Sequence, residues 1–524
     1  MTTAASSIAP SPSRPSRRWP AAFAGLIGAA LALGVSELIA GFLPGAPSLI
    51  AAVGQTVIDH QPAGAKDIVV ALFGTNDKIA FELFITIVAV AFGAVLGLIG
   101  RDRFALAAAG FAAFGAVGYL AAMRDPLGNP ALAVLSVAIS VALGVQTMGW
   151  LLGGAGASAA RARGATPDWQ RRSLLLRGGA IGAAAIVAGL GGRTLLERVR
   201  RSPTDAEVGI PPASETVAGL PAGADLAPEI AGLSPIVIPN DRFYRIDTAL
   251  LPPVVDTRTW SLRIHGLVER ETTLSWDELL GLPLFEQYVT IACVSNEVGG
   301  NLVGNAKWTG VRLREVLDLA GVLPDASQLV GRAVDGWTAG MPTAWIMDPA
   351  REPMIAVRMN DEPLAVQHGF PARLIVPGLY GYVSATKWLA ELELTTLEAF
   401  DGYWVPLGWA KEAPILTQSR IDTPRNGSRL TAGTVPIAGV AWAPDRGIAR
   451  VEVAIDDEWR EARLSAPLSD ATWVQWVVDW PATPGRHRIQ VRATDGDGVV
   501  QEERRTPPAP DGARGRHAVD VEVG

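Results

Sequence analysis

Cysteine, histidine and charge are all scarce in this chain. Its 524 residues include one cysteine, five histidines and only 19% charged side chains. A single cysteine excludes a disulfide framework and any all-cysteine zinc or iron–sulfur site. An ordinary soluble protein carries roughly 25% charged residues. The shortfall, with 49% apolar residues and a mean hydropathy of +0.24, excludes a wholly soluble enzyme. The same apolar content excludes intrinsic disorder. A net charge of −7 argues against a general nucleic-acid binder, which needs a basic surface. The charges are also unevenly placed. Residues 1–200 hold 16 Lys/Arg against 9 Asp/Glu, and the remainder holds 29 against 43. A basic, apolar first part precedes an acidic, globular one.

Long apolar runs account for the first part. A helix needs roughly 20 apolar residues to cross a ~30 Å hydrocarbon core. Residues 21–43, 79–99, 104–123 and 131–152 qualify, and 174–195 form a weaker fifth run rich in Gly and Ala. Arg14, Arg17 and Arg18 precede the first run. Arg101 and Arg103 lie between the second and third, and Arg161, Arg163, Arg171 and Arg172 between the fourth and fifth. The excess of Lys and Arg on cytoplasmic loops then sets the N-terminus in the cytoplasm and everything after the fifth run outside it. Arg193, Arg198, Arg200 and Arg201 run against that rule, which long translocated domains tolerate. Arg171-Arg172-Ser173-Leu174-Leu175 before a weakly apolar core reads as a twin-arginine export signal. It also reads as two arginines obeying the positive-inside rule. Glu37 and Glu82 fall near the ends of runs, where a snorkelling structural role is expected. No histidine lies within a run, which argues against a bis-histidine haem relay. Residues 46–78 offer an interfacial helix.

Residues 201–234 are rich in Pro, Ala, Gly and Ser without a sustained period and read as a tether. Residues 235–412 mix short strands with short helices, an α+β pattern. Trp260-Ser261-Leu262-Arg263-Ile264-His265-Gly266 alternates like a strand, Ser275 is placed to cap a helix over 276–280, and residues 311–319 read as a helix. Tyr288-Val289-Thr290-Ile291-Ala292-Cys293 is a strand that delivers the cysteine at its end. Residues 413–524 change style. Val451, Val453 and Ile455, then Ile489 and Val491, then Val519, Val521 and Val523 alternate with polar residues, as in an immunoglobulin-like sandwich.

Three segments carry chemistry. Cys293 leaves an apolar strand and enters the polar run Val294-Ser295-Asn296-Glu297-Val298-Gly299-Gly300-Asn301. Its thiolate there suits a sulfur-loving transition metal, or a nucleophile with His368 as base; a lone cysteine is also common as buried filler. His368-Gly369-Phe370-Pro371-Ala372-Arg373 sets an imidazole and a guanidinium on a Gly/Pro turn, and Tyr380 through Trp388 brings hydroxyls and Lys387. Arginine forks and lysine ammoniums suit a phosphate.

Taken in order, these segments resemble the sulfite oxidase family of molybdopterin enzymes across about residues 236–500. The matching stretches are Arg242-Phe243-Tyr244-Arg245, Thr290 through Asn296, Ala306-Lys307-Trp308-Thr309-Gly310-Val311, Val334-Asp335-Gly336, His368 through Pro377, and Thr386-Lys387-Trp388-Leu389. The resemblance implies a Mo-molybdopterin cofactor with Cys293 as the thiolate ligand of the metal. It places Phe243, Tyr244 and Arg245 along the cofactor, with Arg245 also facing the substrate. Asp335, His368, Arg373, Ala385, Thr386 and Lys387 would hold the pterin and its phosphate. It further implies oxygen-atom transfer to or from a small-molecule oxo donor or acceptor, a separate electron-transfer partner, and pairing of two copies through the terminal domain, although monomeric relatives exist. No nucleic acid is implied. The sequence departs from the animal and plant pattern at Glu297, where a second arginine is expected nearby, and at Trp337, where a tyrosine is expected. Both weaken the case for sulfite, and bacterial relatives that reduce sulfoxides offer a second pattern. Two other readings stay open: a hydrolase using Cys293 and His368, and a membrane-anchored binding module whose middle domain has lost its metal.

Overall fold

The computed structural model describes residues 18–60, 77–161, 167–201 and 203–524. Arg14, Arg17, Arg163 and residues 61–76 of the expected interfacial segment lie outside them. The chain divides into two compact units, Met1–Val199 and Arg200–Gly524.

The first unit is helical: α1 (Trp19–Phe42), α2 (Leu49–Asp59), α3 (Asp77–Gly100), α4 (Phe104–Ala122), α5 (Pro130–Arg161) and α6 (Pro167–Val199). Five of these contain stretches long and apolar enough to cross a membrane, with α2 too short. The α1 helix packs against α3, α5 and α6. Small residues let the backbones meet: a Cβ on Gly25 would stand 2.1 Å from the Gly93 carbonyl oxygen. The two acidic residues are not snorkelling to water. Glu37 is 4% exposed and accepts the Ser48 hydroxyl at 2.8 Å, while Glu82 pairs with Arg193 at 3.1 Å. Each carboxylate takes its partner from a neighbouring segment.

The second unit is built on four sheets. One runs β2 (Thr272–Ser275), β1 (Ser261–Gly266), β10 (Leu389–Thr395), β5 (Gln328–Ala333), β6 (Thr338–Pro342), with β1 and β10 parallel and the other pairs antiparallel. Another runs β3 (Leu284–Ala292), β4 (Val303–Arg312), β7 (Met354–Met359), β8 (Glu362–Pro363), with β9 (Arg373–Ile375) also on β7. Between β2 and β3, α7 (Trp276–Leu280) begins as its sequence dictates: the Ser275 hydroxyl accepts from Glu278 N–H, and Glu278 reaches back to Ser275 N–H at 2.8 Å. The helix expected over 311–319 starts later, as α8 (Leu313–Ala320). Val311 stays in β4 opposite Leu284, because pairing there buries it completely. A short helix, α9 (Gly381–Ser384), precedes β10.

The terminal region forms two sheets. They run β11 (Gln418–Thr423), β13 (Gly433–Trp442), β17 (Val474–Ala482), β16 (Arg463–Leu464), and β12 (Arg429–Leu430), β19 (Ala518–Val523), β18 (Gly485–Asp495), β14 (Ile448–Ile455), β15 (Glu458–Glu461). They share a core that includes Ile437, Val453, Trp476, Ile489 and Val521. The expected tether does not hang free. Val208 and Ile210 enter the main core, Leu226, Ile230 and Leu233 pack on Ala438 and Val477, and Ser214 N–H donates to Leu284 O at 2.8 Å. Its Pro/Ala/Gly content hides a set of apolar anchors, each contributing about 1.5–3 kcal/mol when fully buried.

Candidate functional site

The end of β3, the irregular segment 240–247, the turn before β9 and the approach to β10 converge. Cys293 follows β3 directly. Its N–H donates to Leu302 O at 2.9 Å, its Sγ stands 3.5 Å from Ser295 Oγ, and the residue is 8% exposed. Beside it Phe243 and Tyr244 stack with ring centroids 5.2 Å apart. Phe243 meets the rings of Trp308 at 6.0 Å and His368 at 5.9 Å edge to face. His368 is buried in a short 3-10 turn, and its Nε2 contacts Asn240 O at 3.2 Å. The carbonyl can only accept, so the imidazole carries its proton on Nε2 and presents Nδ1 as an acceptor.

The basic residues gather here. Arg373, 3% exposed, donates to His368 O at 3.0 Å and lies over the Trp308 ring. Lys387 Nζ donates to Asp247 Oδ2 at 3.1 Å and Gln367 O at 3.0 Å, and Arg245 Nε donates to the same Asp247 oxygen at 2.9 Å. Thus Arg245 and Lys387 share one carboxylate, Asp247, and Arg373 lies within electrostatic range of Lys387. Burial pushes Lys387 down to about 8, with Asp247 pulling back, and pushes Arg373 down to about 10. Burial, aided by Lys387 and Arg373, lowers His368 to about 3 and keeps it neutral. Among the described residues, Arg245 Nη2 and Arg373 Nε are buried without a hydrogen-bond partner. Orphaned donors in a cationic pocket fit an anionic group, and the adjacent thiol fits a soft metal. The donor set therefore matches a molybdopterin with its phosphate.

The remaining predicted residues stand differently. Thr386 Oγ1 donates to Gly331 O at 3.4 Å, and Thr386 O accepts from Leu374 N–H, so its hydroxyl is turned to β5. Ala385 N–H closes α9 by donating to Gly381 O. Asp335 sits in the β5–β6 hairpin, where its Oδ1 accepts from Trp337 N–H at 3.1 Å. The β5 end is joined to the site strand by Val334 N–H to Trp388 O, 2.9 Å. Glu297 is exposed.

Sequence reasoning missed Asp247 and Asn240. The Arg245-Ile246-Asp247 spacing held a signal for the first; the second acts through its carbonyl and left none. Tyr380 was noted only as one hydroxyl of its segment. It is 4% exposed, and burial pushes it up to about 12, with Cys293, Arg514 and Asp511 in electrostatic range.

Residues 249–404 match the family model described as the oxidoreductase molybdopterin binding domain. The chain is 28% identical to human mitochondrial sulfite oxidase over 346 residues, covering 56% of this chain and 63% of that protein. It is 28% identical over 318 residues to nitrate reductase [NADH] 1 of Oryza sativa subsp. japonica, covering 48% of this chain and 34% of that protein. It is 33% identical over 167 residues to the uncharacterized oxidoreductase YuiH of Bacillus subtilis, covering 32% of this chain and 80% of that protein. The chain thus spans a little under two thirds of human sulfite oxidase and about a third of the rice enzyme.

Proposed function

The chain belongs to the sulfite oxidase family of molybdopterin-binding oxidoreductases, and on that premise we propose that its globular unit catalyses oxygen-atom transfer on a small molecule. Its cofactor is Mo-molybdopterin. One observation carries the reading: the chain's single thiol lies in electrostatic range of Tyr244, beside a basic cluster of Arg245, Arg373 and Lys387 in which, among the described residues, two buried guanidinium nitrogens lack a partner. Cys293 is the residue to ligate molybdenum. Phe243 and Tyr244 wall the cofactor, and Arg373, Lys387 and the main chain of Ala385 and Thr386 take the pterin and its phosphate, with Asp335 at the hairpin edge. When bound, the metal supplies two-electron oxygen-atom exchange.

The chain's own residues do the rest. Asp247 fixes Arg245 through Nε and leaves Nη2 to bind a substrate oxygen. His368, neutral above about pH 3, holds its Nε2 proton on Asn240 O and offers Nδ1 to an N–H of the ligand. Trp308 shields Arg373 from water, which strengthens its hold on an anion. With one free arginine nitrogen in view, reduction of S-oxides or N-oxides and sulfite-type oxidation both suit the pocket.

The first unit supports a membrane anchor through its five apolar stretches. We place the N-terminus in the cytoplasm and the globular unit outside it, with residues 171–195 serving as a twin-arginine signal or fifth span. The two terminal sheets form an immunoglobulin-like sandwich that can pair two copies, and electrons pass through a separate partner. Metal analysis tests the core reading. Wild type from a cofactor-competent host should hold close to one molybdenum per chain, and Cys293→Ser should lose oxygen transfer by at least about a hundredfold. A protein free of molybdenum would overturn it. Assays with artificial electron donors and acceptors against sulfite, S-oxides and N-oxides, with product identification, choose the direction. Reporter fusions at either terminus check the topology.

A further inference from the structure

The loop that carries Cys293 is held from outside its own sheet. Residues 294–302 connect β3 to β4. Two bonds close the base: Cys293 N–H to Leu302 O at 2.9 Å, and Leu302 N–H to Asn296 Oδ1 at 2.8 Å. Inside the loop Asn296 N–H also donates to Cys293 O at 3.1 Å and Gly300 N–H to Glu297 O at 2.8 Å, but none of these ties the tip, Gly299-Gly300, to another element. The terminal region does. Arg420 in β11 donates through Nη1 to Gly300 O at 2.8 Å, through Nη2 to Ser234 Oγ at 3.0 Å and through Nε to Asp422 Oδ1 at 2.6 Å. Asp422 also accepts Ser234 N–H at 3.0 Å. The pair is enclosed, with side chains 10% and 7% exposed. Just before β19, His517 Nδ1 accepts Ile421 N–H at 3.0 Å, and the far edge of the ring packs against Gly299. Gly299 has φ +81°, and a Cβ there would stand 2.3 Å from His517 Cδ2, so only glycine admits the ring. Burial and the Arg420 charge hold His517 down to about 4, which leaves it neutral.

We propose that Arg420 and His517 are positioning residues for the Cys293 thiolate: they clamp the tip of its loop to the terminal sheets and so fix the direction of Sγ. The proposal rests on Cys293 as the molybdenum ligand. A loop bonded only at its base pivots about that base, and a small rotation there swings Sγ off a metal–sulfur direction. The clamp contacts lie 120 residues apart in the chain, for Arg420 to Gly300. Orientation of the thiolate therefore depends on docking of the terminal sheets, which also bond β3 directly through Thr290 Oγ1, the acceptor of Trp473 N–H at 2.8 Å.

The lone cysteine makes the test clean, because alkylation reports one site. Arg420→Gln leaves Asp422 without its cation, so His517→Gln, which keeps an acceptor for Ile421 N–H, is the second variant. Full-length protein without cofactor is alkylated with iodoacetamide, and loaded protein is examined for its thiolate-to-molybdenum absorption and Mo(V) spin-resonance signal. Both variants should alkylate faster than wild type, Arg420→Gln at least about tenfold for its lost buried hydrogen bond to Gly300 O, and both should shift the Mo(V) signal. Trp473→Phe, which removes the 2.8 Å bond from Nε1 to Ile236 O and part of a fully buried ring, should lower the melting temperature and leave both thiol readouts alone. Unchanged alkylation and spin resonance in both clamp variants would overturn the proposal. So would equal acceleration in Trp473→Phe, since the loop would then be responding to loosened sheets in general. A loaded wild type lacking thiolate absorption would reject Cys293 as ligand instead, while alkylation would still report whether the loop is clamped.

Discussion

The two units manage charge in opposite ways. In the helical unit Glu37 takes the Ser48 hydroxyl and Glu82 takes Arg193, so each carboxylate has its own partner. In the globular unit Arg245 and Lys387 share Asp247 with Arg373 close by, and among the described residues two of the guanidinium nitrogens have no partner. Charge kept for architecture is matched locally, because nothing else in the fold will solvate it. Charge kept for a ligand is left in excess. That imbalance destabilises the pocket on its own and is relieved by an anion, so it marks the site more sharply than any single residue type.

The comparison breaks first at Arg373. Arg373→Met should cut retention of the cofactor about tenfold to a hundredfold, the range for a charge-assisted hydrogen bond in a buried site; molybdenum and pterin content after dialysis measure it. Next comes pH. Lys387 in the folded protein titrates near 8, below its ordinary value, so the unfolded chain binds more protons between those values and cofactor-free stability should rise with pH above about 8. Anion binding runs the other way. A bound anion favours the ammonium, so affinity for inorganic pyrophosphate should fall as pH rises through about 8, by calorimetry. Lys387→Gln should flatten both trends. The smallest effect is expected in the helical unit. Glu82→Gln breaks a partly exposed pair with Arg193 and should cost about 1 kcal/mol or less in detergent. Oxygen transfer with artificial electron donors should stay at the wild-type rate. A larger change in turnover at Glu82 than at Arg373 would erase the contrast between the units.

Much of this was readable in one dimension. The apolar runs needed only length and composition, since a bilayer imposes both. The Ser275-Trp276-Asp277-Glu278 start of α7 is a local capping box, complete within four residues. Cys293 was conspicuous for being alone at the end of a β-alternating segment. The family's motifs likewise lie in short contiguous stretches. Other features were illegible for a common reason. Asp247 matters because Lys387, 140 residues later, folds onto it, and Asn240 because His368, 128 residues later, meets its carbonyl. Residues 201–234 looked like a tether because their apolar anchors are irregularly spaced and bind irregular surfaces, which no period reveals.

The amino-acid order alone therefore determined which stretches suit lipid, where the thiol leaves its strand, and which basic residues are available to an anion. These follow from local geometry and transfer energies, which need only near neighbours. The tertiary structure decided which cations share Asp247, that Glu297 is exposed, and that Arg420 and His517 reach the Cys293 loop. Those pairings depend on how separate sheets dock. Docking is set by the summed fit of many buried side chains, and no short segment contains that sum.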